Sequence, residues 1–166
     1  EVGGSLPEGP NVVGANISRD LARRIVREGN PALPPGLAAT LTANPLSPSA
    51  EAALDADLLD NHCGQLPATR LPGMRLAQRA RDAAMAVGLT TLPERPAILV
   101  AGNGHVRGDY GVPALLARLR PGARIINIAF EEEGKATDAG TTYTHIWTTP
   151  AVHRDDPCKG FGQARP

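Results

Sequence analysis

Apolar positions along this chain alternate between a strand-like run and a helix-like spacing, and the changes of spacing divide it into elements. Residues 11–17 form a short apolar run that predicts a strand. Ser18 then stands at a helix N-cap, Leu21, Ala22, Ile25 and Val26 recur on one helical face, and Gly29 takes the C′ position. Residues 30–44 hold Pro, Leu and Ala without a clean period and predict an irregular or weakly helical connection. Ser47-Pro48 predicts the next helix start, with Leu54 and Leu58 inward and an end near Asp60. A loop carrying His62-Cys63-Gly64 leads to a further helix from about Pro72 to Gly88.

After a linker over 90–96, residues 97–101 are continuously apolar, the pattern of a parallel strand covered on both faces. A glycine-rich loop, a short helix over 112–119 and a second buried strand over 124–130 complete a strand–helix–strand unit whose crossover should be right-handed. A polar loop over 131–141, a last strand over 144–149 and an irregular tail over 152–166 follow. The alternation predicts an α/β fold with a mostly parallel sheet flanked by helices, in one domain spanning residues 1–166. Four strands are few for such a sheet, so the chain reads as the C-terminal portion of a longer domain, with further strands expected ahead of Glu1.

Composition removes several function classes. The 166 residues are 42% hydrophobic and 20% charged, which suits a globular domain with a real core. Seventeen Lys and Arg balance seventeen Asp and Glu, and there are only one Trp, two Tyr and two Phe. Neither a basic face nor a base-stacking surface is indicated, so nucleic acid is not an expected partner. No apolar run approaches the roughly 20 residues that span a bilayer, and no signal peptide is visible. The two cysteines, Cys63 and Cys158, make no CxxC pair, which argues against a structural zinc site. They read equally as two separate buried thiols or, in an oxidising compartment, as a disulfide worth about 4–5 kcal/mol in the chain-entropy model.

The chemistry concentrates after the strand over 97–101. Ligands of open α/β sheets bind at the carboxyl ends of strands, and Gly102-Asn103-Gly104-His105 stands at such an end, its glycines permitting close approach of a ligand. A dinucleotide fingerprint does not fit, because Arg107 occupies the place of the third glycine and Gly108 comes one residue late. Arg107 is placed either to orient an anion or to pair with Asp109, while His145 and His153 lack any such context. On the middle helix Met74, Gln78, Arg81 and Met85 are spaced i, i+4, i+7 and i+11, one amphipathic stripe. Its plain reading is a helix packed on the sheet with its Arg paired; for His62 it is a local hydrogen bond.

The run from Val100 to Pro113, with Gly102-Asn103-Gly104-His105 at its heart, resembles a signature of the ChaN family of haem-binding proteins. That family is grouped with the Tiki, TraB and erythromycin-esterase proteins, which share a Gly-x-x-His motif after a strand. His62-Cys63-Gly64-Gln65-Leu66-Pro67, with Met74, Gln78, Arg81 and Met85 beyond it, resembles the middle signature, and Trp147-Thr148-Thr149-Pro150 with Asp156-Pro157-Cys158 resembles the ending. The family's first Gly-Glu-x-His type motif is absent from this chain. The resemblance implies an EreA/ChaN-like α/β fold and haem as ligand in bacterial haem or iron uptake or storage. Its site would comprise His62, Met74, Gln78, Arg81, Gly102, Asn103, Gly104, His105, Arg107 and Tyr110, with Arg81 toward a propionate and a tyrosine, Tyr110 before Tyr143, as candidate iron ligand. It also implies a homodimer and a periplasmic or outer-membrane lipoprotein whose only membrane link is an N-terminal lipid anchor. Two other readings stay open. The wider superfamily implies a divalent-metal hydrolase with His105 as a metal ligand, for which no catalytic residue is assigned, and a scaffold or interaction domain needs no ligand at all.

Overall fold

Local capping sets the helical half of the molecule. In a computed structural model, which describes residues 12–92, 96–134 and 142–160, Ser18 accepts a hydrogen bond from Leu21 N at the start of α1 (Arg19–Glu28), and Gly29, at φ 70°, turns the chain out of it. Ser47 does the same for Ala50 N at the start of α3 (Pro48–Asp60), where Pro48 occupies the first turn. Between them, residues 30–44 are more ordered than their composition predicts: a 3₁₀ turn over Asn30–Ala32 runs into α2 (Pro35–Ala43). The longest helix, α4 (Leu71–Thr91), and the short α5 (Val112–Leu119) stand close to their expected positions. Residues 12–17, expected as a strand, lie outside helix and strand. Asn11, residues 93–95 of the linker, 135–141 of the polar loop and 161–166 of the tail are outside the described residues.

The strands are shorter than the apolar runs. β1 (Ile128–Glu132) and β2 (His145–Thr149) pair in parallel, Ile128 opposite His145 through Glu132 opposite Thr149. Residues 97–101, expected as a strand, lie outside helix and strand, so the sheet among the described residues is two-stranded and the fold is α/β. The expectation that 97–101 is buried on both faces is corrected. Leu99 and Ala101 pack on the main core, whereas Ile98 and Val100 are 88% and 91% exposed. Ile126, Phe130 and Trp147 are likewise exposed, with the Phe130 and Trp147 rings 6.4 Å apart in register. Continuous apolar sequence marks residues suited to cover on both sides, and the described helices cover one.

Packing centres on α4. Its inward face is almost all small: Ala77, Ala80, Ala83 and Ala86 are buried with Met85, against Ile25 of α1, Leu41 of α2 and Val112 and Leu115 of α5. Small side chains let neighbouring helices approach, and Gly73 marks the tightest point, since a Cβ there would overlap the Val26 carbonyl of α1. A second cluster gathers Leu54 and Leu58 of α3, Tyr110, and the part-buried Met74 of α4. After α3 two successive residues, Cys63 and Gly64, take left-handed φ values of 56° and 66°, and Gly64 N returns to Leu59 O. Cys63 there is bonded to Cys158 across 95 residues, which decides between the two readings of the cysteines. The disulfide also anchors the tail, whose residues 157–160 form a 3₁₀ turn where irregular chain was expected.

Two outcomes follow. Gly73→Ala must push α1 from α4 and is expected to lower stability by about 1–3 kcal/mol, read from denaturant unfolding. Cys158→Ser, or reduction, is expected to lower it by up to about 4–5 kcal/mol, with the intact bond verified by mass under non-reducing conditions.

Candidate haem-binding site

A cleft of about 920 Å³ opens between α1, α3, α4 and the turn over Asn103–His105. Its apolar lining is Ala22 and Val26 from α1, Leu54 and Leu58 from α3, and Met74 and Ala77 from α4, beside the polar side chains of Asp57, Asn61, Thr69 and Gln78. Its rim is cationic. Arg19, Arg23 and Arg27 recur every fourth residue of α1 and so share a face, and Arg70 and Arg81 add two more guanidiniums. Their partners are weak: Arg23 and Arg27 reach exposed Asp20 and Glu28 only at 3.6 and 3.5 Å, and Arg81 meets the Asn16 side chain at 3.1 Å. The guanidiniums of Arg19 and Arg70 make no ion pair among the described residues.

Six of the ten expected site residues line this cleft: His62, Met74, Gln78, Arg81, Gly104 and Tyr110. Gly102, Asn103, His105 and Arg107 do not, and each has a definite place. Asn103 fastens the turn to β1, its Nδ2 donating to Phe130 O at 2.8 Å, while Tyr143 Oη donates to Asn103 O at 3.2 Å. Arg107 pairs with Asp109 at 2.8 Å and Asp57 at 3.1 Å and lies 4.7 Å over the Tyr110 ring, so of its two readings the ion pair is the one observed. The hydrogen bonds that Arg107 donates to Asp109 hold its guanidinium charged. Met85, fourth in the helical stripe, keeps the same face but lies about three turns, roughly 16 Å, beyond Met74 along α4, where it is buried in the core.

His105 stands one layer behind the cleft. Its Nδ1 lies 2.6 Å from Asp82 Oδ1, and Gln78 Nε2 lies 3.0 Å from Nδ1 and 3.5 Å from Nε2. Asp82 has no exposed surface, and its Oδ2 has no hydrogen-bond partner among the described residues. Burial pushes its carboxyl up to about 6, against the opposing hydrogen bond and charge of His105. The arrangement is a carboxylate orienting an imidazole, able to hold or pass a proton. His62 sits at the other side of the cleft with Nδ1 2.7 Å from Leu58 O, the local bond expected of a loop histidine.

Tyr110 is 2% exposed and donates its hydroxyl proton to Asp57 Oδ2. Burial, then that bond, raises its pKa well above the ordinary value, which opposes tyrosinate formation. Burial also raises Tyr143. Among the described residues no three His, Cys, Asp or Glu side chains gather as a metal cluster.

Asp82, Asp57 and the α1 arginines were not among the expected site residues. Asp82 is the only acid in α4 and falls within an alanine-rich stretch, four residues after Gln78, which is the signal that marks it. Asp57 likewise lies on the Leu54–Leu58 face of α3, and the arginines declare themselves by their four-residue spacing.

The raised carboxyl of Asp82 gives a pH signature in the ligand-free protein. A folded-state pKa of about 6 above the ordinary 3.8 means the native state binds this proton more tightly, so its stabilisation is present below pH 3.8 and lost as pH rises through about 6. The difference in melting temperature between wild type and Asp82→Asn is expected to change over pH 4–6 in thermal scans; a constant difference would contradict the assignment.

A family model described as haem-binding uptake, Tiki superfamily, ChaN, matches residues 7–116. No curated protein and no solved structure matches the chain. With that match covering more than half of its 166 residues, the chain belongs to the ChaN haem-binding uptake family of the Tiki superfamily.

Proposed function

We propose that this chain binds haem in the cleft between α1, α3 and α4 as part of bacterial haem or iron uptake or storage. The observation that carries the reading is the pairing of apolar walls with a row of guanidiniums along one rim. A cleft of about 920 Å³ is within the roughly 300–1,000 Å³ common for cofactor sites. The macrocycle would lie against Val26, Leu54, Leu58, Met74 and Ala77. Arg19, Arg23, Arg27, Arg70 and Arg81 would meet the propionates, since a guanidinium offers carboxylates a matching fork of donors. Bound haem supplies an iron centre that takes a protein nitrogen, sulfur or oxygen donor. The chain has His62 and Met74 on the cleft and His105 directly behind it.

The remaining parts of the proposal have narrower support. The Cys63–Cys158 disulfide favours an oxidising compartment, consistent with the periplasm or outer membrane. Exposed Ile98, Val100, Phe130 and Trp147 favour an apolar partner surface, for which a second copy of the chain is the proposed occupant. Attachment through an N-terminal lipid rests on the family resemblance alone. A second reading, a divalent-metal hydrolase, is favoured by one observation: a carboxylate-backed imidazole at His105 is also the arrangement of a general base or metal ligand.

Titration with haemin is expected to give a saturable Soret shift. Arg23→Glu with Arg27→Glu should weaken binding about tenfold or more, equivalent to roughly 1.4 kcal/mol, and the porphyrin dimethyl ester should lose a similar factor. Absence of any shift, together with Mn, Co or Zn found by elemental analysis of the purified protein, would select the hydrolase instead.

A further inference from the structure

The loop after α3 contributes Asn61 and His62 to the lining of the cleft, and the next residue is Cys63, bonded to Cys158. This loop leaves its helix by an uncommon path. Cys63, at φ 56°, is the only non-glycine with left-handed φ among the described residues, and Gly64 follows at 66°. Glycine takes that conformation freely, whereas a residue with a Cβ is disfavoured there by about 5–30-fold in population. The turn is nonetheless well defined, with Cys63 N bonded to Asp60 O and Gly64 N to Leu59 O, both at 2.9 Å.

The other end of the disulfide differs in kind. Cys158 sits in the 3₁₀ turn over Pro157–Gly160, where its own N–H and that of Lys159 bond to Asp156 of the same tail. Neither cysteine belongs to the two apolar clusters, and each keeps part of its surface exposed. Disulfides that are exposed, or that hold a strained backbone, are the labile and regulatory kind. We propose that Cys63–Cys158 is a redox gate on the cleft. Oxidised, it holds the loop that presents Asn61 and His62; reduced, it lets Cys63 leave the left-handed region and draws both residues away from the ligand. For the identity of that ligand the gate rests on the haem reading above.

The reductant is a dithiol. One of its thiolates attacks a sulfur of the bond, the S–S bond breaks, and the other cysteine departs as a thiolate and takes a proton. The donor's second thiol then displaces the mixed disulfide, so two electrons and two protons pass to the chain and the donor leaves as its own disulfide. The packing of α1, α2, α4 and α5 contains neither cysteine and stays in place while one side of the cleft loosens. Apparent affinity falls with the fraction of molecules whose loop is competent, which sets the effect at about 5–30-fold.

Three forms of the whole chain test the gate. Cys63→Ser with Cys158→Ser cannot form the bond and is expected to bind haemin about 5–30-fold more weakly than the oxidised wild type. Cys63→Gly with Cys158→Ser also lacks the bond but accepts the left-handed φ, so it should keep most of the wild-type affinity. In the ligand-free protein, hydrogen exchange at the amides of positions 63 and 64 should quicken on reduction with dithiothreitol and in the serine pair, and stay near the oxidised rate in the glycine pair. Equal affinity and equal exchange in the wild type and the serine pair would overturn the gate, and so would a glycine pair as weak as the serine pair. A serine pair that loses the helical circular dichroism of the wild type also overturns it, since the bond is then a staple of the whole fold. A wild type that binds no haemin overturns the haem reading alone, and the exchange rates then decide the gate.

Discussion

The contact between Asp82 and His105 joins the two halves of this molecule. Asp82 belongs to α4, the helix on which α1, α2, α3 and α5 all pack, and His105 to the turn that follows residues 97–101. A carboxylate without exposed surface is unfavourable by several kcal/mol unless a donor meets it, so the turn must sit where its imidazole reaches the helix. The alanines around Asp82 make this possible. They bring the neighbouring elements close enough for a 2.6 Å contact.

Polar groups elsewhere in the site are similarly organised by what surrounds them. Arg107, Asp109, Asp57 and Tyr110 form one network in which Arg107 donates to both carboxylates and the Tyr110 phenol to Asp57. That network borders the cleft at Asp57 and Tyr110, and Arg107, paired with both carboxylates, serves the architecture of the site. The cleft-lining arginines differ, because exposed or distant partners leave their positive charge directed at the opening. An amphipathic dianion with a flat apolar body meets both features at once: its apolar part displaces water from the walls, and its carboxylates stay at the wet rim.

The sheet side follows from the same packing rule with the opposite outcome. Parallel strands are usually covered on both faces. Here Leu99 and Ala101 pack on the helical core and Ala129 is buried, while Ile98, Val100, Phe130 and Trp147 are exposed. The disulfide acts at the far end of this layer, holding residues 157–160 to the loop after α3 and so fixing the backbone next to His62.

Helix starts at Ser18 and Ser47, the stop at Gly29 and the α/β alternation were all legible in the chain, because capping and periodicity are local, whereas the strand expected ahead of Gly102 forms no ladder. The stripe Met74, Gln78, Arg81 was legible for the same reason. The pairing of Cys63 with Cys158 was not, since it joins residues 95 apart and either state of the thiols was compatible with the spacing. The strand expected over 11–17 did not form over 12–17, which pair with no strand among the described residues. The role of Asp82 could be suspected from its isolation among alanines, but whether it met water, an arginine or a histidine depended on which element packed against α4. The sequence by itself determined the local elements and the residue types brought to the site. Only the tertiary structure decided which of them face the cleft, which stand behind it, and which spend their charge on one another, because those choices are made by contacts between segments that are distant in the chain.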